Sequence, residues 1–555
     1  MTAKLLSGNE AVALAATHCG VKLATVYHGT PSTEILETVA AIDETGIVKR
    51  WAPNEKVALE VGVGSAFAGA RTMVTMKHVG VNVAADPFFT AAYTGVEGGL
   101  VLVCADDPGM HSSQNEQDNR NYADFAGIPM LEPADSQEAY DFLRRGFEIS
   151  EEFNTIVLLR LTTRICHSKS LVEPREPVQP DREVKFERDI PRFVMVPAFA
   201  RAAHARQMER LDKLADYSEE CDLNGPNVSP DGAELGIVAA GPAYQYVKEV
   251  VGEDVPVFKL GMSWPMPIER LREFSQSVEK LLVVEELTDF TRDKLRAAGI
   301  WAEGKSAEYQ LGELNIDRVR RILEDQPDEK LELPEDLPKP RPPVLCPGCG
   351  HRSVFAILRK MGLTVTGDIG CYTLGALPPL SNLDTCVCMG GSIGVGLGMD
   401  RVMDEEDARK VVAVIGDSTF WHSGLTGVVD AVYNGSRGTL LILDNRTTAM
   451  TGGQDHPGTG ERLDGLPAPA IDPGPVCRAI GVEDVKEVDA WDREGLEAAL
   501  EDSLGQPGYS VIVAKRPCML LERREERQTY EIDAEECKNC GACIRLGCPA
   551  LAQKE

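Results

Sequence analysis

No stretch of this chain is apolar enough to span a bilayer, and its N-terminus, MTAKLLSGNEAV, lacks the charged, apolar and small-residue regions of a secretory leader. Neither a membrane protein nor an exported one is expected, and the expected location is the cytoplasm. Basic clusters are missing as well. With 57 Lys and Arg against 87 Asp and Glu, the net charge of −30 removes the footprint that nucleic-acid binding needs. A disulfide framework is also not expected, since large cytosolic chains rarely carry one. The fifteen cysteines instead fall partly in CxxC clusters, which turns them towards metal. A length of 555 residues with 43% hydrophobic content is ample for cores, and the length prior is about three or four domains.

The chain is organised around residues 411–453. VVAVI suits a strand buried on both faces and breaks at Gly416, Asp417 and Ser418. SGLTGVVDAVYNG is helical in character, and TLLIL is a second buried run that stops at Asp444 and Asn445. The pattern predicts strand, helix, parallel strand. Both strand ends then open on the sheet edge where open α/β folds bind their ligands. Asp417 and Asn445 would stand side by side, offering a carboxylate and an amide oxygen to one hard cation. Magnesium completes its octahedron with phosphate oxygens, so the expected ligand is a diphosphate. For GDS alone, a strand ended by ordinary turn residues is the plain alternative.

Residues 1–175 read as a first α/β domain. GNEAVALAATHCG is helical in period, KLATVYHG is a strand, and TPSTEILETVA starts a helix with Pro31 in its first turn. In PNEKVALEVGVGSAFAGA, Asn54 caps a helix beginning at Glu55, whose plain role is a first-turn charge favoured by the macrodipole. The stretches 76–82 (MKHVGVN) and 105–116 read as loops after strands, where function concentrates; His78 is a candidate substrate contact or a structural histidine. Residues 176–232 form a linker and insertion, and 233–325 a third α/β domain with no chemistry of its own. A second Pro-rich, charged linker covers 326–343. The diphosphate domain spans 344–525, with MGGSIGVGLGMD as a glycine-rich helix able to approach a cofactor, and 526–555 is a terminal cysteine segment.

Cys346 and Cys349 stand in CPGCGH, a spacing suited to metal or to a redox pair. Cys537, Cys540, Cys543 and Cys548 stand in CKNCGACIRLGCPA, close to the bacterial ferredoxin run with one extra residue before the last cysteine. No second repeat is present after it. Cys548 closing the same cluster, a ligand from a partner, and a poorly binding remnant remain open, with a single 4Fe–4S cluster favoured over a structural zinc.

Together the stretches GTPSTEI, NEKVALE, VTMKHVGVNVAADP, ADDPGMHSSQNEQDNR, LCPGCGHR, DIGCYTLGALPPL, GDSTFWHSGLTG, DNRTTAMTGGQDHPGTG and the terminal cysteine run resemble the large (α) subunits of indolepyruvate:ferredoxin oxidoreductases, a branch of the 2-oxoacid:ferredoxin oxidoreductases. The resemblance implies a multidomain thiamine-diphosphate-binding fold: two doubly wound parallel-sheet domains, a third α/β domain and a short ferredoxin-like segment. It implies that Gly416, Asp417, Ser418, Asn445 and Thr447 form a magnesium-diphosphate motif, with the side chains of Asp417 and Asn445 and the carbonyl of Thr447 on the metal. Glu55 becomes the carboxyl group that hydrogen-bonds the cofactor's pyrimidine ring, and Thr30 a substrate contact. Cys346, Cys349, Cys371 and Cys518 match the ligands of the cluster nearest the cofactor, which makes one or two 4Fe–4S clusters. The implied reaction is oxidative decarboxylation of an aryl 2-oxoacid to an acyl-CoA. Coenzyme A, ferredoxin and a smaller β subunit are the implied partners, in a hetero-oligomer with a dimeric core. Three departures stand out: His28 and Gly350 where the family has proline, and a terminal module of half the usual length. Two rival readings are a non-oxidative 2-oxoacid decarboxylase and a non-catalytic electron-transfer or scaffold subunit.

Overall fold

Runs with no polar alternation, such as LVLVCAD and VVAVIG, are buried at every position, as strands covered on both faces must be. In the computed structural model, which describes residues 2–551 except 45, 181, 330–342 and 522–531, the chain divides into two compact units, residues 1–333 and 334–555. Of the linker expected at 326–343, residues 330–342 lie outside the described residues. No described helix is long and apolar enough to cross a membrane.

Among the described residues the first unit carries three sheets, the smallest an antiparallel pair of Lys4–Ser7 with Lys169–Val172. Its seven-stranded sheet runs in the order Met262–Trp264, Met130–Leu131, Ile156–Thr162, Leu100–Asp106, Thr72–Lys77, Leu23–Val26, Val48–Trp51. All pairs are parallel except the first, so the strands ending at Val26, Lys77, Asp106 and Thr162 open on one edge. The five-stranded sheet, in the order Glu303–Gly304, Val278–Val284, Ala233–Ala240, Val257–Leu260, Asn224–Pro226, is parallel apart from its last strand. A network of buried charges joins the two larger sheets. Arg120 is 1% exposed; it pairs with Asp118 at 2.6 Å and with Glu285 at 2.5 Å, and donates to the carbonyls of Glu286 and Thr288. The 24-residue Pro197–Glu220 helix occupies the stretch expected as an insertion.

The second unit holds a six-stranded sheet, parallel throughout, in the order Thr385–Cys386, Thr364–Gly367, Val411–Gly416, Gly438–Asp444, Tyr509–Lys515, Asp484–Asp489. Alternate residues feed two cores. Val412, Val414, Leu441 and Leu443 pack with Phe355 and Leu358 on one face, while Ala413, Ile415, Leu440 and Ile442 pack with Ile393 and Phe420 on the other. Each such fully buried aliphatic side chain contributes about 1.5–3 kcal/mol. Among the described residues of the terminal segment, 532–551, the chain forms turns and one short helix, Ala542–Arg545.

Two local expectations are corrected. Pro31 is not in the first turn of a helix: the helix is Thr33–Ile42 with Ser32 before it, and Pro31 follows a cis peptide in the preceding turn. Residues 76–82 are not a loop either. Lys77 ends a strand buried at every position, and His78 opens the short His78–Val83 helix.

Candidate functional site

At the open edge of the first unit's larger sheet, four loops meet. Asn54 accepts a hydrogen bond from the Val57 amide at 2.9 Å and so caps the Glu55–Phe67 helix as its sequence predicts. Glu55, the first residue of that helix, is 6% exposed, and its side chain lies against Gly80 so closely that a Cβ there would stand 2.6 Å from the Glu55 carboxylate. His78 is fully buried. Its Nε2 lies 3.2 Å from the Asn115 carbonyl, its Nδ1 has no partner, and burial holds its pKa below the usual imidazole value. Lys77 donates from Nζ to the Ser112 carbonyl at 2.6 Å, and the Ser112 hydroxyl donates to the Thr30 carbonyl at 3.2 Å. Burial pushes the Lys77 pKa down to about 8, against the pull of Asp107. Asp107 is itself held in place by Ser113 and Thr163, at 2.6 and 2.7 Å. His28 is buried among rings, its centroid 4.3 Å from that of Tyr27 and 5.7 Å from that of Trp51. Thr30, Lys77, His78 and the Asp107 loop are therefore brought together.

In the second unit the register pairs Gly416 with Leu443, which sets Asp417 beside Asp444 and one residue from Asn445. Asp417 begins a helical turn that widens into one π turn over Phe420–Gly424 before the Leu425–Tyr433 helix. Such turns often mark functional sites. Asp417 accepts from the Ser418 amide and the Arg446 amide, both at 2.8 Å, and Nε2 of His456 lies 3.2 Å from it. Burial, then the neighbouring Asp417 carboxylate, raises the pKa of Asp444. The Asn445 side-chain oxygen accepts from the Thr447 amide at 3.2 Å, and Thr448 donates to the Ser418 hydroxyl at 2.8 Å. The Thr447 hydroxyl is buried without a partner. Carboxylate, amide and hydroxyl oxygens carried on two adjacent strand ends, with a buried hydroxyl left without a partner, fit a hard cation and its phosphate ligands.

One cysteine of the second unit, Cys518, lies against this turn, and the residue after Cys371 packs beside it. The Cys518 amide donates to the Asn445 carbonyl at 2.9 Å. Tyr372, the residue after Cys371, places its hydroxyl 2.9 Å from the Ile369 carbonyl and 3.3 Å from Thr419, against the Gly416 backbone. Burial, then mutual repulsion within the set Cys346, Cys349, Cys371 and Cys518, raises the Cys349 thiol to about 11 and the Cys371 thiol to about 12. In the sequence these four are joined only through resemblance; the fold makes them electrostatic neighbours. Cys537, Cys540 and Cys543 are exposed and Cys548 half-buried. Among the described residues, no three His, Cys, Asp or Glu side chains are close enough to hold a single metal ion.

Four residues escaped sequence reasoning. Lys77 is signalled by a cation at the end of an otherwise apolar strand, and His351 only by its place in CPGCGH. Burial pushes His351 down to about 4, against the pull of Asp417. His456, in GGQDHPGTG, carries no local signal. Asp368 accepts from the Gly390 amide at 2.8 Å and the Ser392 amide at 3.0 Å, which pins the turn before the Gly391–Val402 helix. Its signal is an acid at the end of a strand in GDIG.

Comparison with known proteins bears on both units. Residues 368–514 match the thiamine pyrophosphate enzyme C-terminal TPP-binding domain, and residues 14–208 match the pyruvate flavodoxin/ferredoxin oxidoreductase thiamine-diphosphate-binding family. The chain is similar to indolepyruvate oxidoreductase subunit IorA of Methanothermobacter thermautotrophicus, 40% identical over 99% of this chain and 92% of that one. It is similar also to the subunit of the same name from Pyrococcus abyssi, 40% identical over 99% and 91%. A more distant relative, 2-oxoglutarate synthase subunit KorA of Methanothermobacter marburgensis, is 24% identical over 50% of this chain and 87% of its own.

Proposed function

From the premise that the chain belongs to the indolepyruvate oxidoreductase IorA family and itself matches two thiamine-diphosphate-binding domain families, we propose that it oxidatively decarboxylates an aryl 2-oxoacid of the indolepyruvate type and passes the electrons to ferredoxin. The overall change balances as one 2-oxoacid anion and one coenzyme A thiol giving an acyl-CoA, carbon dioxide, a proton and a pair of electrons. A smaller partner subunit takes part.

Bound thiamine diphosphate supplies the electron sink that decarboxylation requires, and iron–sulfur clusters supply acceptors that take electrons singly. The protein's own groups hold and orient. Asp417 and Asn445, with the Thr447 carbonyl, would hold a magnesium ion on the diphosphate, flanked by Gly416 and Ser418. Glu55, buried at a helix start, would hydrogen-bond the pyrimidine ring and hold its proton. Thr30 and His78, gathered with Lys77 at one sheet edge, would face the substrate. Cys346, Cys349, Cys371 and Cys518 would hold a 4Fe–4S cluster, and Cys537, Cys540, Cys543 and Cys548 a second.

One observation carries the oxidative reading over simple decarboxylation. The Cys518 amide donates to the Asn445 carbonyl at 2.9 Å, so the turn assigned to the diphosphate and the quartet assigned to the cluster share a backbone hydrogen bond. The test is turnover by the anaerobically purified chain with its smaller subunit. Aryl-2-oxoacid-dependent reduction of ferredoxin or viologen, requiring thiamine diphosphate, magnesium and coenzyme A, is expected. Aldehyde release without acceptor reduction would select the decarboxylase reading, and no turnover in the presence of all components would select the scaffold reading. About eight irons per chain are expected if both cysteine groups are filled, and about four if one is.

A further inference from the structure

The terminal cysteine segment meets the rest of the second unit in a notch beside the CPGC loop. Arg352, 5% exposed, forms one wall. Its Nη1 donates to the carbonyls of Leu546, at 3.2 Å, and of Gly547; its Nε donates to the Cys346 carbonyl at 3.3 Å, and its Nη2 to the Leu345 carbonyl. A single guanidinium therefore joins the backbone before Cys548 to the backbone at Cys346. Only a planar fork with five donors can satisfy carbonyls on both sides at once. Pro379 forms the other wall. Gly547 has φ +70°, and a Cβ there would stand 2.6 Å from the Pro379 ring. Arg359 donates to the Pro379 carbonyl and secures that wall.

We infer that Arg352 is the positioning residue that seats the terminal cysteine segment on the CPGC loop and so sets the gap between Cys548 and the Cys346–Cys349 pair. The seat itself stands on the hydrogen bonds and the Gly547 contact. Its consequence for electron passage rests on the cluster reading above: transfer falls steeply with distance, so a guanidinium that fixes the gap fixes the route by which electrons leave the quartet.

Hydrogen–deuterium exchange on the full chain with its smaller subunit, purified anaerobically, tests the seat. In Arg352→Ala and, from the other side of the notch, in Gly547→Ala, exchange over 543–551 should quicken about tenfold or more, because a local opening has become cheap. Exchange over 411–416 should stay unchanged. Arg352→Lys should recover only part of the protection, since one ammonium cannot reach both sets of carbonyls. Unchanged exchange over 543–551 in both alanine variants overturns the inference; so does quickening of equal size over 411–416 in both, which would mark a general loss of structure. Iron analysis and the spin coupling between reduced clusters are read on the same samples. With iron retained, the coupling should weaken in the alanine variants, and coupling equal to wild type overturns the claim about the gap. An iron-free wild type whose segment still loses protection in the variants sinks the cluster reading and leaves the seat standing. Full iron with unchanged exchange does the reverse.

Discussion

Lys77 and Glu55 show how burial decides what a side chain can do. The Lys77 ammonium is 8% exposed, and the fall of its pKa from 10.5 to about 8 corresponds to about 3–4 kcal/mol against the charged form. Because the unfolded chain binds more protons between those two values, the fold gains stability as pH rises from 8 to 10.5 and carries the full penalty below 8. Lys77→Met should therefore melt at higher temperature than wild type at pH 7, and the difference should shrink towards zero as pH rises through that window. Paired thermal melts across pH check it; a constant difference would separate the effect from ionisation. Glu55→Gln should keep thiamine diphosphate binding, measured by titration, while turnover falls about a hundredfold or more, the usual range for a lost proton-handling group. Asp417 and Asn445 are legible from sequence because chain connectivity alone sets strand ends side by side. Lys77, His351 and His456 are not, since their properties come from neighbours distant in the chain.

Among the elements, the strands are the most legible, being continuous apolar runs bounded by glycine and acid. The cap at Asn54 is legible for the same local reason. Segments just beyond a strand are harder to read. MKHVGVN reads as a loop because histidine and asparagine suit turns, yet Gly80 makes it a helix that can lie against Glu55. Gly80→Ala would place a methyl group 2.6 Å from the Glu55 carboxylate and displace it. Turnover should drop about tenfold or more through misplacement of the carboxyl group, with the circular dichroism spectrum intact; normal turnover would detach Gly80 from the site. Gly390, at φ +86° and with a Cβ position 2.8 Å from that of Ser423, is a second such point. Gly390→Ala should loosen the turn that Asp368 pins and weaken thiamine diphosphate binding, readable as a raised Kd. The π turn after Asp417 has no sequence signature in FWHSG.

Across the whole first unit, buried charge holds two sheets together. Burial would lift the Asp118 carboxyl, but Arg120 and Arg160 hold it well below the usual carboxylate range. Arg120→Met leaves Asp118 and Glu285 buried without their shared partner. Such a change typically costs about 3–5 kcal/mol, so the first unit should unfold at clearly lower temperature in calorimetry. Adding Glu285→Gln should restore part of the loss, because one stranded charge is then gone; a double variant no better than the single would place the cost elsewhere. The Arg120–Glu285 pair could not be read from sequence, since the two stand far apart in the chain and each looks like an ordinary surface charge. By itself the sequence determined the α/β elements, the adjacency of Asp417 and Asn445 at two strand ends, and the family, because strand patterning, caps and motif spacing act over short stretches. Tertiary structure alone decided which cysteines adjoin the Asn445 turn, which lysine and histidines are stripped of water, and where the terminal segment rests. Those depend on desolvation and long-range contact, which no local pattern encodes.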